Sequence, residues 1–322
     1  MIADTHPLLA HAAGPLLPYL EDAEVMEIRV TSNGRCFVVT FGVGKHQRAD
    51  IPLPVLDTFL AVIASMTGAE WRASAPRLHA AFPSLGIRIQ AARPPTTEGP
   101  MMVCRKHPRR VFPLDDFEAK GILTALGPTQ ATDTRLTAQP TIQQTLEAAV
   151  AGRHTIVIAG AVGSAKTSLL NALLATLRDS AERIVVLEDD PELRCEAAEV
   201  QTLRTCHDPV ITMRDLGKDL LRYSPDRIVI GEVRDGAALD MLKAFQTGHP
   251  GMTSVHAESA LGTLLRLEQL VQEVSVDPQR PLIGDAIDLI VHLTSYARSW
   301  RVTDLIAVDG FDGSVYTTRS LL

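Results

Sequence analysis

The sequence predicts an α/β protein. A mainly parallel sheet flanked by helices is expected over residues 141–322, preceded by a smaller α+β domain over 1–111 and a linker over 112–140. Three observations carry this. From residue 141 onward, short β-rich runs alternate with helical periods, the pattern of strand, crossover helix and parallel strand. One of those junctions joins strand to helix through a glycine loop ending in Lys-Thr. The first 110 or so residues instead pair alternating strands across a tight turn.

In the first domain, residues 25–30 (VMEIRV) alternate in polarity, Ser32-Asn33-Gly34 supplies a turn, and 35–41 (RCFVVTF) returns as a second strand. A helix over 54–67 presents Leu56, Phe59, Leu60, Ile63 and Met66 at core spacing, and 86–91 (GIRIQA) resumes strand alternation. The stretch 112–140 is polar and turn-rich, which predicts a helical patch and a flexible connection. Beyond it come a helix through Glu147, a buried strand over 154–159 (HTIVIA), and a helix over 168–179 with Leu169, Leu170, Leu173, Leu174 and Leu177 on one face. Strand-like runs follow at 183–187 (RIVVL), 227–230 (RIVI), 252–255 and 287–293, with helices over 236–246 and 259–273. A ligand is expected at the carboxyl ends of such strands.

A hydrophobic content of 46% with 21% charged residues describes an ordinary globular chain. The net charge of −7 argues against sequence-specific nucleic-acid binding, and 105–110 (RKHPRR) is the single basic run that could support it. Cys36, Cys104, Cys195 and Cys206 form no CxxC pair, which disfavours a zinc site or a disulfide framework and fits a reducing cytoplasm. No apolar run approaches a membrane span, and the opening residues lack both a basic leader and a long apolar core, so any membrane association is expected to be peripheral.

The loop at 160–168, GAVGSAKTS, nearly completes the phosphate-binding pattern GxxxxGK[ST] and departs from it at Ala165. In such a loop, Gly160, Ala161, Val162, Gly163, Ser164 and Ala165 present backbone N–H groups to a nucleotide's phosphates. Lys166 reaches the β/γ-phosphates, Thr167 ligates Mg2+, and Ser168 opens the helix whose N-terminus favours the anion. The plainer alternative is a small-residue turn with a solvated lysine, but few such turns place Lys-Thr at this offset. Two outcomes stay open at Ala165. Either the backbone there requires positive φ, at a cost of about 1 kcal/mol or more, or the loop accepts alanine without strain.

Glu188 and Asp189 follow one strand and Glu232 follows another, at the edge where the loop emerges. ATP hydrolysis needs one carboxylate to organise the metal and another to orient water, which is the role read for Glu188 and Glu232. His249 and His256 bracket the run 252–255. They can sense a γ-phosphate or serve as turn and core residues, and spacing alone does not separate the two.

Taken in order, GAVGSAKTS, VLEDDPEL (186–193) and the stretch 224–270 resemble the P-loop, Asp box, Walker B segment and His box of the type II/type IV secretion (traffic) ATPases. Residues 15–30 are similar to the opening of that family's N-terminal domain. The resemblance implies a RecA-like ATPase domain binding ATP and Mg2+, and a homo-oligomeric, hexameric ring. It further implies a ring on the cytoplasmic face of the inner membrane, docked to membrane-embedded secretion or conjugation components. It implies phosphate and Mg2+ roles for Lys166 and Thr167, a water-serving role for Glu188, a Walker B role for Glu232, and His-box membership for His249 and His256. It also implies a nucleotide contact from Arg105 in the segment MMVCRK. Glu258, Asp190, Ser224 and Lys218 depart from the family pattern, as Ala165 does. Those departures motivate a weakly active scaffold ring as the alternative function, and a pilus retraction motor is a second alternative.

Overall fold

The computed structural model describes residues 6–106, 119–120, 136–296 and 299–322. Most of the linker expected over 112–140, and residues 107–110 of the basic run, lie outside them. Contacts divide the chain into two compact units, Met1–Asp133 with Cys206–Val210, and Thr134–Thr205 with Ile211–Leu322.

The first unit is α+β. Helices α1 (Pro7–Ala13), α2 (Leu17–Glu21) and α3 (Leu53–Thr67) accompany strands β1 (Val25–Val30), β2 (Cys36–Thr40), β3 (Gly44–Arg48), β4 (Arg77–Phe82), β5 (Ile87–Ala92) and β6 (Met101–Lys106). The strands form one antiparallel sheet in the order β3-β2-β1-β6-β5-β4. Along α3, Leu56, Phe59, Leu60 and Ile63 are buried against the sheet, as their spacing predicts, whereas Met66 is exposed in the last turn. Strands β3, β4 and β6 were not anticipated. Four of the five residues of β3 are exposed, so it carries no hydrophobic period to read.

The second unit holds helices α4 (Ile142–Ala151), α5 (Lys166–Ala175), α6 (Met213–Asp219), α7 (Ala237–Gln246), α8 (Ala260–Gln272) and α9 (Arg280–Ala286). Its sheet comprises β7 (Ile156–Gly160), β8 (Arg183–Glu188), β9 (Glu199–Arg204), β12 (Arg227–Ile230), β13 (Gly251–Val255), β14 (Leu289–Tyr296), β15 (Ser299–Phe311) and β16 (Tyr316–Ser320), while β10 (Cys206–His207) pairs only with β11 (Val210–Ile211). The sheet order is β16-β15-β14-β7-β13-β12-β8-β9. Strands β14 through β9 in that order are mutually parallel, and β15 and β16 continue the sheet antiparallel. Every residue of β7, β8, β12 and β13 is buried, which is why the interiors of β7, β8 and β12 read as short apolar runs in the sequence. The expected mainly parallel sheet is what forms.

Registers align the carboxyl ends of the central strands on one edge: Val255 opposes Ala159, and Ile230 opposes both Leu187 and Thr253. The amino-terminal edge is closed differently. There Arg183, fully buried, donates from Nη1 to Glu199 Oε1 at 2.8 Å and from Nε to the Tyr223 carbonyl at 2.7 Å. Arg227 donates from Nε to Glu182 at 2.7 Å.

Candidate nucleotide-binding site

The glycine loop leaves β7 and enters α5 at the carboxyl edge of the parallel sheet. Helix α5 begins at Lys166, two residues earlier than the leucine period indicates, because loop and helix share a turn. Gly160 has φ of 153°, and a Cβ there would fall 2.3 Å from the Leu293 carbonyl, so β14 packs against the loop's first residue too closely for any side chain. Ala165, the helix N-cap, adopts φ 69° and ψ 27°, the left-handed region. That decides between the two outcomes open from the sequence. Alanine takes the conformation glycine usually supplies, with the strain its Cβ brings.

The crown of the loop, Ala161 to Gly163, is exposed, whereas Ser164 and Lys166 are buried. Ser164 Oγ makes no hydrogen bond. Lys166 Nζ turns back into the loop, donating to the carbonyls of Gly160 and Ala161, each at 3.0 Å, and lies 3.1 Å from His256 Nδ1. Desolvation by burial lowers the lysine's pKa, and the nearby Glu232 carboxylate opposes that shift.

His256 follows β13 directly and stands between lysine and carboxylate. Its Nε2 lies 2.7 Å from Glu232 Oε1. Its Nδ1 faces both Lys166 Nζ and, at 3.3 Å, the Gly160 carbonyl. Glu232 is placed by the backbone around it: the Gly231 N–H donates to the Leu187 carbonyl at 2.9 Å, and the Val233 N–H to the Ser254 carbonyl at 3.0 Å. These bonds pin the segment after β12 between β8 and β13.

Glu188, the last residue of β8, is buried with both oxygens engaged. Oε2 accepts from the backbone N–H groups of Glu192 and Leu193 at 3.2 and 3.0 Å, and Oε1 accepts from Arg204 Nε at 2.9 Å. Asp189 accepts from Thr205 Oγ1 at 2.8 Å and bonds to Arg234. A cleft runs from Thr167 past Glu188, Asp189, Asp190, Glu192, Gly231 and Glu232 to Arg234. Its carboxylates outnumber its single arginine, so a polyphosphate entering it is repelled unless a cation intervenes. Oxygen donors of this kind, Thr167 Oγ1 with Glu232 and its neighbours, fit Mg2+, which binds nucleotides through one or two protein oxygens, phosphates and water.

The structure therefore gathers Gly160 through Ser168, Glu188, Glu232 and His256 on one edge of one sheet. It does not gather His249. That residue precedes β13 at the strand's amino-terminal end, bonded to Thr247 Oγ1 at 2.8 Å, and the five-residue strand, about 17 Å long, separates it from His256. The seven-residue spacing spans the five-residue strand Gly251–Val255 and places the two histidines at its opposite ends. Arg105 belongs to the first unit, exposed on β6, with Nε donating to Glu27 at 3.0 Å. Sequence reasoning missed three residues here. Arg204 ends β9, whose polar alternation hides it, Arg234 stands two residues after Glu232, and Trp300 donates from Nε1 to the Gly163 carbonyl across 137 residues of chain.

A family model described as type II/IV secretion system protein matches residues 55–301. The chain is 35% identical over 303 residues to the conjugal transfer protein TrbB of Rhizobium radiobacter, covering 93% of this chain and 88% of that one. It is 29% identical over 325 residues to the type IV secretion system protein VirB11 of Bartonella quintana, covering 90% of each. Its fold matches the crystal structure of the VirB11 ATPase from the Brucella suis type IV secretion system, in complex with sulphate. That match has a TM-score of 0.80 at 25% identity, over 93% of this chain and 94% of that one. With a matching model that spans most of its length and relatives aligned nearly end to end, the chain belongs to the type II/IV secretion system protein family.

Proposed function

We propose that the chain is the Mg2+-dependent ATPase of a conjugation or type IV secretion apparatus, working as a homohexameric ring at the cytoplasmic face of the inner membrane. The observation that carries the enzymatic part is the junction of Lys166, His256 and Glu232 at the mouth of the glycine loop. The apparatus is supported by the TrbB and VirB11 relatives, and the ring and its location by the family resemblance. Among the described residues, no helix is long and apolar enough to cross a membrane.

In this reading the loop amides and the first turn of α5 receive the β-phosphate, because those N–H groups have no partner within the helix. Lys166 exchanges its bonds to the Gly160 and Ala161 carbonyls for the β/γ-phosphates. Thr167 and the carboxylates would hold Mg2+, which would neutralise charge on the transferring phosphoryl group. Glu232, whose Oε1 faces His256 Nε2 at 2.7 Å, orients the attacking water, and His256 fixes that carboxylate. Glu188 clamps the 190–193 segment and Arg204, so serving the water requires it to release one oxygen. Purified protein should hydrolyse ATP, and turnover should vanish in Lys166→Ala and in Glu232→Ala. Undiminished turnover in both variants would sink the proposal. Oligomer mass measured with and without ATP-Mg2+ tests the ring.

A further inference from the structure

The loop's crown is exposed along Ala161, Val162 and Gly163, yet one side chain from far along the chain reaches it. Trp300, at the start of β15, donates its indole Nε1–H to the Gly163 carbonyl at 3.0 Å while its ring stays largely exposed. Burial therefore does not account for the placement of this residue. The hydrogen bond does.

Resting on the nucleotide-binding reading above, we propose that Trp300 is a positioning residue for ATP, holding the loop crown in its phosphate-receiving form. The peptide joining Gly163 to Ser164 is planar, so holding its carbonyl outward fixes its N–H in the opposite direction. That N–H, of Ser164, donates inward to the Ala161 carbonyl at 3.3 Å. Gly163 at φ 75° precedes this peptide and Ala165 at φ 69° follows it by one residue, so two left-handed residues bracket Ser164. Trp300 is thus an outer anchor for a peptide whose inner bond is long. Without it the crown samples other orientations, and nucleotide must select the competent one, which raises the apparent dissociation constant by the inverse of the competent fraction.

The test uses the full chain with ATP as probe. Trp300→Phe keeps an aromatic ring and removes the donor; isothermal titration should show ATP bound about three- to tenfold more weakly, the worth of one neutral hydrogen bond. In steady state KM should rise while kcat stays within about twofold, because the residue touches the loop and not the reacting atoms. The chain has two tryptophans. In Trp71→Phe, Trp300 is therefore the sole tryptophan, and its selectively excited fluorescence should change on ATP addition with the midpoint seen by calorimetry. Amide exchange at Ser164 should be faster in Trp300→Phe without any nucleotide. Equal ATP affinity and equal Ser164 exchange in Trp300→Phe and the natural chain overturn this inference alone. Failure of the natural chain to bind ATP overturns the nucleotide-binding reading and this inference with it.

Discussion

Replacing Ala165 by glycine should make the protein more stable, although glycine is ordinarily destabilising. An alanine held at φ 69° costs about 1–2 kcal/mol relative to right-handed backbone, and glycine removes that cost. Against it stands the greater freedom of glycine in the unfolded chain, about 0.4–1 kcal/mol. The helix-interior penalty does not apply, because Ala165 is the N-cap of α5, where glycine is preferred to alanine. The net gain is about 0.5–1 kcal/mol, which for a unit of this size corresponds to a rise of roughly 1–4 °C in Tm. Thermal unfolding followed by circular dichroism, without nucleotide, measures it. Ala172→Gly, at an exposed position within the same helix, is the control and should lower stability by about 0.5–1 kcal/mol. If Ala165→Gly falls with Ala172→Gly, the strain argument is wrong. Because the left-handed conformation belongs to the loop's own backbone path, ATP affinity should change by less than about threefold. A tenfold tightening would place the strain on binding and favour the weakly active scaffold.

Three further outcomes are expected. His249→Ala should bind ATP within about twofold of the natural chain, whereas His256→Ala should lose about tenfold or more in turnover, the worth of one ~1.4 kcal/mol contact; equal effects would contradict the separation along β13. Arg183→Met should cost about 3–5 kcal/mol in urea unfolding by leaving Glu199 buried without its guanidinium, and Arg183→Met combined with Glu199→Leu should recover most of that, a recovery whose absence would refute the pairing. Burial pushes the Cys104 thiol up to about 12. The folded chain then keeps its proton where the unfolded chain has lost it, so stability is full below about pH 9 and falls above it by up to roughly 1.4 kcal/mol per pH unit. Cys104→Val should flatten that alkaline limb, and parallel limbs would refute the assignment.

What could be read from the residues follows the physics of burial. Strands β7, β8, β12 and β13 are buried on both faces, so their composition alone marks them, and the glycine loop and Glu232 then fall at their carboxyl ends. Strand β9 alternates buried and half-buried positions with Glu, Gln, Thr and Arg among them, and no apolar run exposes it. The long antiparallel β15 likewise went unseen, and with it Trp300. His249 stands apart from His256 for a geometric reason: a fixed sequence spacing brings residues together on a helix and drives them apart on a strand. Ala165 was recognisable as unusual, but its backbone conformation depends on how β7 delivers the chain to α5.

The inward turn of Lys166 bears on how tightly any occupant is held. Its ammonium has two carbonyl partners and an imidazole beside it. A phosphate must therefore displace protein acceptors, and the gain is the difference between two sets of bonds. The same partners are waiting when the phosphate leaves, so the vacated lysine is never stranded in its desolvated position. Such an arrangement moderates the affinity for any phosphate held there.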